Sequence, residues 1–208
     1  MTTPGTATAA TIAPLDAARL DALEPLWRTL IDHLRELGSV VELVPHERSW
    51  PRRRAIYEEL LADGASFALG AWRGDRLIGY AMVRVAAPDA VWSTGSHYAE
   101  LLSLSVAPGE RGSGVGGDLL DAVEAGLTSR GIDQYVIGVD TVNAGAQRFY
   151  ERRGFRDGFH LLHGWVGGAA GAAAAGRDSR ATGAAAPGSG GDAKGIVETP
   201  ETAMHGEE

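Results

Sequence analysis

The chain contains no cysteine. That single absence removes disulfides, thiolate metal sites and a cysteine nucleophile together. No apolar run is long enough to cross a bilayer. The first residues lack a basic segment followed by an apolar stretch, so no secretory signal is visible and the expected location is cytoplasmic. Positive charge is scarce as well: 19 Lys and Arg against 27 Asp and Glu leave a formal net charge of −8. That balance argues against nucleic acid as a partner and leans toward a cationic one. His160 and His163 lack the partner spacing of a metal site, and no metal is expected.

What is present fits one globular domain with some excess. The 208 residues are 44% hydrophobic and 22% charged, ordinary values for a soluble fold. Residues 2–10 hold only Thr, Ala, Gly and Pro, so that 1–10 are poor in large apolar groups, and 167–208 open on a Gly/Ala run and continue into a second glycine cluster. Ordering glycine is costly and nothing large offsets that cost, so both ends are expected to be disordered. The domain is therefore expected over 11–166.

Within it the hydrophobic period switches repeatedly. Leu20, Leu23, Trp27, Leu30, Ile31, Leu34 and Leu37 keep three-four spacing, one face of a helix capped near Asp16 and stopped at Gly38. A second helix is expected from Pro51, a residue suited to a first helical position, to Gly64. Residues 65–72 and 76–86 read as strands around the turn Arg73-Gly74-Asp75-Arg76. A third strand follows at Ala99–Val106, then a helix marked by Val115, Leu119, Val123 and Leu127. Tyr135–Val139 reads as a short strand, 144–153 as a helix, and Phe155–Trp165 as one or two final strands. The expected fold class is α/β: a mixed, mostly antiparallel sheet with helices on both faces.

The informative stretch is Ala107-Pro108-Gly109-Glu110-Arg111-Gly112-Ser113-Gly114-Val115-Gly116-Gly117, strand to loop to helix. Glycines at 112, 114, 116 and 117 leave consecutive N–H groups free to face one anion, at a helix N-terminus where the dipole favours phosphate. Arg111 adds a formal positive charge beside them. Pyrophosphate binding is the chemistry implied. Gly112-x-Gly114-x-x-Gly117 also satisfies the dinucleotide fingerprint, with Asp140 as the ribose acid of an NAD(P)-dependent oxidoreductase. Against that rival, five residues separate strand from glycines, and an antiparallel hairpin precedes the motif. No Gly-Lys-Ser/Thr closes a nucleoside-triphosphate loop.

Arg111-x-x-Gly114-x-Gly116 resembles the R/Q-x-x-G-x-G/A signature of the GNAT superfamily of acyl-CoA N-acyltransferases. Leu104-x-Val106-x-Pro108 resembles that family's strand-to-loop junction. Asn143 with Tyr150 seven residues later, closing on Gly154-Phe155, resembles its second block. The likeness covers roughly 10–166, and it implies acetyl-CoA as co-substrate. Its pyrophosphate would sit on Arg111, Gly112, Ser113, Gly114, Val115, Gly116 and Gly117. Its pantetheine arm would lie between two splayed parallel strands, 99–106 and 135–139, and pair with the backbone of Leu104 and Val106. Tyr150 takes the position that protonates the departing sulfur, and Asn143 contacts the cofactor or caps the helix carrying Tyr150. Glu100 is the candidate base for the attacking amine, since alternation would set it on one face with Leu102, Leu104 and Val106. His97 and Tyr98 are fallbacks. The acceptor is a small-molecule amine or a protein or peptide amine, and the assembly a monomer or homodimer, with no membrane partner. A CoA-binding sensor without chemistry remains an alternative. Arg52–Arg54 are taken as a solvated face, and Trp50, Trp72 and Trp92 as packing rather than an acceptor pocket.

Overall fold

The computed structural model describes residues 9–166. The two ends expected to be disordered lie outside them, save for residues 9 and 10. Four strands form one sheet: β1 Thr11–Leu15, β2 Phe67–Arg73, β3 Arg76–Ala86 and β4 Tyr98–Val106. Their spatial order is β1-β2-β3-β4 and every neighbouring pair is antiparallel. Four helices complete the domain: α1 Glu24–Leu37, α2 His46–Ala62, α3 Val115–Thr128 and α4 Ala144–Arg152.

The first expected helix divides in two. A 3-10 segment, Ala17–Leu23, leads into α1, which begins with Pro25 in its first turn because proline has no N–H to give to the turn before. Gly38, in the left-handed region at φ 77, ends it. The second helix starts at His46, five residues before the expected Pro51, which therefore sits inside it. The added turn is held by tertiary packing. Trp50 is buried, Trp27 Nε1 donates to Ser49 Oγ at 3.0 Å, and the N–H groups of Arg48 and Ser49 close on the Pro45 carbonyl.

Both sheet faces carry a core. On one, Leu20 and Leu23 of the 3-10 segment, Trp27 and Ile31 of α1, and Trp50 and Tyr57 of α2 pack onto Ala68, Tyr80 and Met82. On the other, Val115, Leu119, Leu120, Val123 and Leu127 of α3 pack with Tyr150 of α4 onto Ile78, Val83 and Leu101. Gly79 lets α3 approach: a Cβ there would stand 3.1 Å from Leu119 Cδ1 and from the Ser105 carbonyl.

One irregularity shapes the site. Met82 pairs with Ser103 but Val83 pairs with Leu101, so Leu102 is an extra residue on β4, a bulge. Ala99 and Leu101 face the α3–α4 core, and past the bulge so do Leu104 and Val106. Leu102, Ser103 and Ser105 face α1 and α2: Tyr57 donates to Ser103 Oγ at 2.6 Å, and Ser105 Oγ donates to the Leu26 carbonyl at 3.0 Å. The extra residue corrects the expectation from simple alternation. Glu100 shares a face with Leu102 but not with Leu104 or Val106.

The expected strand Tyr135–Val139 is reduced to one parallel bridge, Val136 to Glu100. Two bonds make it, Leu101 N–H to the Val136 carbonyl at 2.9 Å and Val136 N–H to the Ala99 carbonyl at 3.0 Å. Just past this point the bulge bends β4, and the two segments share no further ladder. No strand forms over Phe155–Trp165. A strand needs a ladder beside it, and with 135–139 making a single bridge there is none; Leu162 stands 88% exposed.

Candidate functional site

After β4 the chain makes its last bond to β3 through Ala107 N–H and the Ile78 carbonyl, 2.9 Å. A short 3-10 turn, Pro108–Glu110, carries it into the glycine loop. Gly112 and Gly114 have φ of 77 and 95, a region that side chains disfavour, and nothing stands within 4 Å of where a Cβ would be. The N–H groups of Gly112, Gly114, Val115, Gly116 and Gly117 find no acceptor among the described residues. They form a concave row of donors at the start of α3, as a bound anion requires. Ser113 Oγ is already engaged, donating to the Glu110 carbonyl at 2.6 Å, and the buried Val115 side chain anchors the row from below. Arg111 is exposed, and its Nε donates to the Val106 carbonyl at 3.3 Å.

That last bond locates the open edge. With Ala107 N–H turned toward β3, alternation turns the backbone groups of Leu104 and Val106 to the other side of β4. Among the described residues Val136 bonds along that side at Ala99 and Leu101, and Arg111 at the Val106 carbonyl. The N–H groups of Leu104 and Val106 and the Leu104 carbonyl therefore find no partner among the described residues, while the Val106 carbonyl takes Arg111 Nε.

Tyr150 closes the same region from α4. Asn143 caps that helix, its Oδ1 accepting from Ala146 N–H at 3.0 Å. Phe149 packs on the first turn of α3, 3.7 Å from where a Gly116 Cβ would be. Tyr150 is 7% exposed and meets Phe149 and Phe155 edge to face, with ring centroids 5.0 and 5.3 Å apart. Its apolar cluster includes Leu104, Val106 and Val115. Burial pushes its phenol above the ordinary tyrosine value, so it stays a proton donor. The hydroxyl makes no hydrogen bond among the described residues, yet it is not among their sealed, unpartnered polar atoms.

Glu100 lies on the opposite face, ion-paired to its cross-strand partner Arg84 at 2.6 Å. His97 is exposed and contacts Ser96. Burial, with Glu100 adding to it, raises the Tyr98 phenol. Trp50 is core, Trp72 lies under Arg19 and Trp92 is exposed. Of the three arginines, Arg53 stacks over Trp27 and Arg54 pairs with Asp21 and Glu58.

A cleft of about 300 Å³ opens between α1 and the loop, lined by Thr29, Asp32, His33, Glu36, Pro108 and Arg111. Sequence reading had not singled out this polar face of α1, although its spacing of three and four residues opposes the apolar stripe. A hydrogen bond from His46 and the nearby Arg35 hold the Asp32 carboxyl below its usual range.

The all-antiparallel sheet excludes the dinucleotide alternative, which needs parallel strands feeding its glycine turn. Asp140, its ribose acid, is bonded to Ser39 and to Val142 N–H.

The fold and loop thus define a class: an α/β protein with a row of unpaired N–H groups at a helix start beside an open sheet edge. The family model of the acetyltransferase (GNAT) family matches residues 27–155, and the chain belongs to that family. A mycothiol acetyltransferase of Thermobispora bispora is 38% identical over 115 residues, 53% of this chain. The match spans only 37% of that relative's length. Among solved structures, a GCN5-related N-acetyltransferase from Ralstonia eutropha superposes with a TM-score of 0.62 at 22% identity, covering 77% of this chain and all of the other. An aminoglycoside N-acetyltransferase in complex with CoA gives 0.61 at 19% identity, over 77% and 97% of the two chains. A predicted acetyltransferase with acetyl-CoA, from Clostridium acetobutylicum, gives 0.60 at 17%, over 74% and 94%. At these identities the structural likeness is one of fold. Among the described residues no helix is long and apolar enough to cross a membrane.

Proposed function

We propose that the chain is an N-acetyltransferase that moves an acetyl group from acetyl-CoA to a primary amine, by direct attack in a ternary complex. The observation that carries this reading is the set of unpartnered N–H groups of Gly112, Gly114, Val115, Gly116 and Gly117, in the loop that follows the open edge of β4. A pyrophosphate suits the row, with Arg111 beside it. An amide-bearing arm suits the edge at Leu104 and Val106, where it would add as a strand does. Asn143 acts on this site as the cap that holds α4, and through α4 Tyr150, in place.

The two titratable candidates sit on opposite faces of the sheet, which divides their work. Tyr150, on the α3–α4 face, donates a proton or hydrogen bond to the departing thiolate. Glu100, on the α1–α2 face, accepts the amine's proton, through water. That proton matters: a lysine-like amine costs roughly 4.6 kcal/mol to neutralise at pH 7, and an α-amine roughly 1. The acceptor enters from α1 and α2, where Asp32 and Glu36 in the cleft favour a cation.

The test is acetyl-CoA turnover, followed by thiol release, across small amines, aminoglycosides, peptide amines and the acceptor of mycothiol acetyltransferases, with thermal shift as control. Turnover on one class of amine supports the reading. A CoA-induced shift without turnover on any amine favours a binding module instead, and no shift at all removes the CoA assignment.

A further inference from the structure

A site for a polyanion carries a buried acid at its centre. Glu110 is 7% exposed and directly precedes Arg111. Its carboxylate takes two guanidinium groups from the β2–β3 hairpin: Arg73 Nη2 stands 2.9 Å from Oε2, and Arg76 Nη2 donates to Oε1. Arg73 is partly buried and its Nε has no hydrogen-bond partner, so the contact of its Nη2 with this carboxylate is what holds its charge in place. Electrostatics alone disfavours a negative group beside bound phosphate. The acid is there for another reason.

Backbone geometry supplies one. Glu110 is the last residue of the 3-10 turn, and Arg111 leaves that turn extended, at φ −67 and ψ 144. With Glu110 drawn into the hairpin, Arg111 is turned outward to the Val106 carbonyl and the open edge of β4. The Glu110 carbonyl also receives Ser113 Oγ, which folds the loop back so that Gly112 and Gly114 take their left-handed turns. One residue therefore fixes the loop at its side chain and at its carbonyl.

We propose that Glu110, clamped by Arg73 and Arg76, is a positioning residue that aims Arg111 and the glycine N–H row before the cofactor arrives. The proposal rests on the acetyl-CoA reading above. Without the clamp, the loop would have to be ordered at the moment of binding, which weakens affinity rather than chemistry.

The experiment is steady-state kinetics of the full chain with acetyl-CoA varied, on wild type, Glu110→Gln, Arg76→Gln, Arg111→Ala and the Glu110→Gln/Arg111→Ala pair. Positioning and simple charge predict opposite signs. The clamp predicts that Glu110→Gln raises KM for acetyl-CoA about tenfold, the usual scale for outer supports of a binding site, with kcat at saturation within about twofold. It also predicts that the effect shrinks to within about twofold once Arg111 is gone, because the two act through one another. A buried negative charge with no positioning role predicts an unchanged or lower KM, and that result overturns the proposal. So do fully additive effects in the pair. If Glu110→Gln fails to fold, Arg76→Gln carries the test. Arg76 is 68% exposed, so its loss strands no buried charge; KM should rise about threefold, and an unchanged KM overturns the clamp. Wild type that neither turns over nor saturates with acetyl-CoA sinks the functional reading itself, a separate outcome from saturable wild type with indifferent variants.

Discussion

Tyr150 combines two properties that rarely coincide. Its ring is packed into an apolar cluster of Leu104, Val106 and Val115, yet its hydroxyl has no protein partner among the described residues. Tyr80 also lacks a partner, but its hydroxyl is sealed in the opposite core, whereas that of Tyr150 is not among the sealed atoms. Tyr150→Phe keeps the packing and removes the donor. We expect it to lower kcat by about two orders of magnitude, the scale of general acid catalysis, and to leave CoA binding intact. Equal loss of binding and turnover would reassign Tyr150 to packing. Glu100 makes a different prediction, because a base helps only while the amine is protonated. Glu100→Gln should lower kcat/KM about a hundredfold at pH 7, and the deficit should close as pH rises past the acceptor's own pKa. A deficit independent of pH would assign Glu100 to holding Arg84, its partner at 2.6 Å.

At the scale of elements, the bulge in β4 sets where the site can be. It turns Leu104 and Val106 toward α3 and α4 and parts β4 from 135–139 just beyond Val136. Tyr57, fully buried on α2, fixes it through the hydroxyl of Ser103. Ser103→Ala strands that phenol and should cost about 1–3 kcal/mol, while adding Tyr57→Phe should return most of the loss. Chemical denaturation of the three variants measures this; a double variant as unstable as the single one would remove the hydrogen bond from the account. The bulge also marks the limit of what sequence can convey. The amphipathic period of α1 and α3, the hairpin turn at Gly74 and the glycine loop were legible, because each is a local pattern with a local cause. An extra Leu102 leaves no trace in composition, yet it moves Glu100 to the face opposite Leu104. The early start of α2 depends on Trp50 reaching the core, and the ion cluster at Glu110 joins residues 34 apart in the chain. Strand-like residues at 155–165 found no ladder to join. These are tertiary facts.

Across the whole molecule, the sheet works as a partition with a separate core on each side, the anion loop at one margin and the acidic face of α1 across a cleft from it. Such a partition keeps its shape only while both cores stay dry, and the tyrosines report on both. The chain has five. Tyr57 and Tyr80 lie in the α1–α2 core, Tyr150 in the α3–α4 core, with Tyr135 packed against it and Tyr98 at the start of β4. Burial is the leading cause of an upward shift at every one of them. The sign of the linkage follows. Below about pH 10, the unfolded value, phenols are protonated in both states and stability does not depend on them. Above it the unfolded chain releases protons first, so the buried Tyr57, Tyr80 and Tyr150 each lower stability by up to about 1.4 kcal/mol per pH unit until the folded value is reached, while Tyr98 and Tyr135, half-buried and screened by solvent, lower it less. Three buried phenols acting together make the loss steep. Phenolate absorbance should therefore stay low as pH passes 10, then rise in one step with the loss of helical circular dichroism. A smooth titration near pH 10 with the fold intact would mean that water already reaches both cores, and that the sheet does not keep them dry.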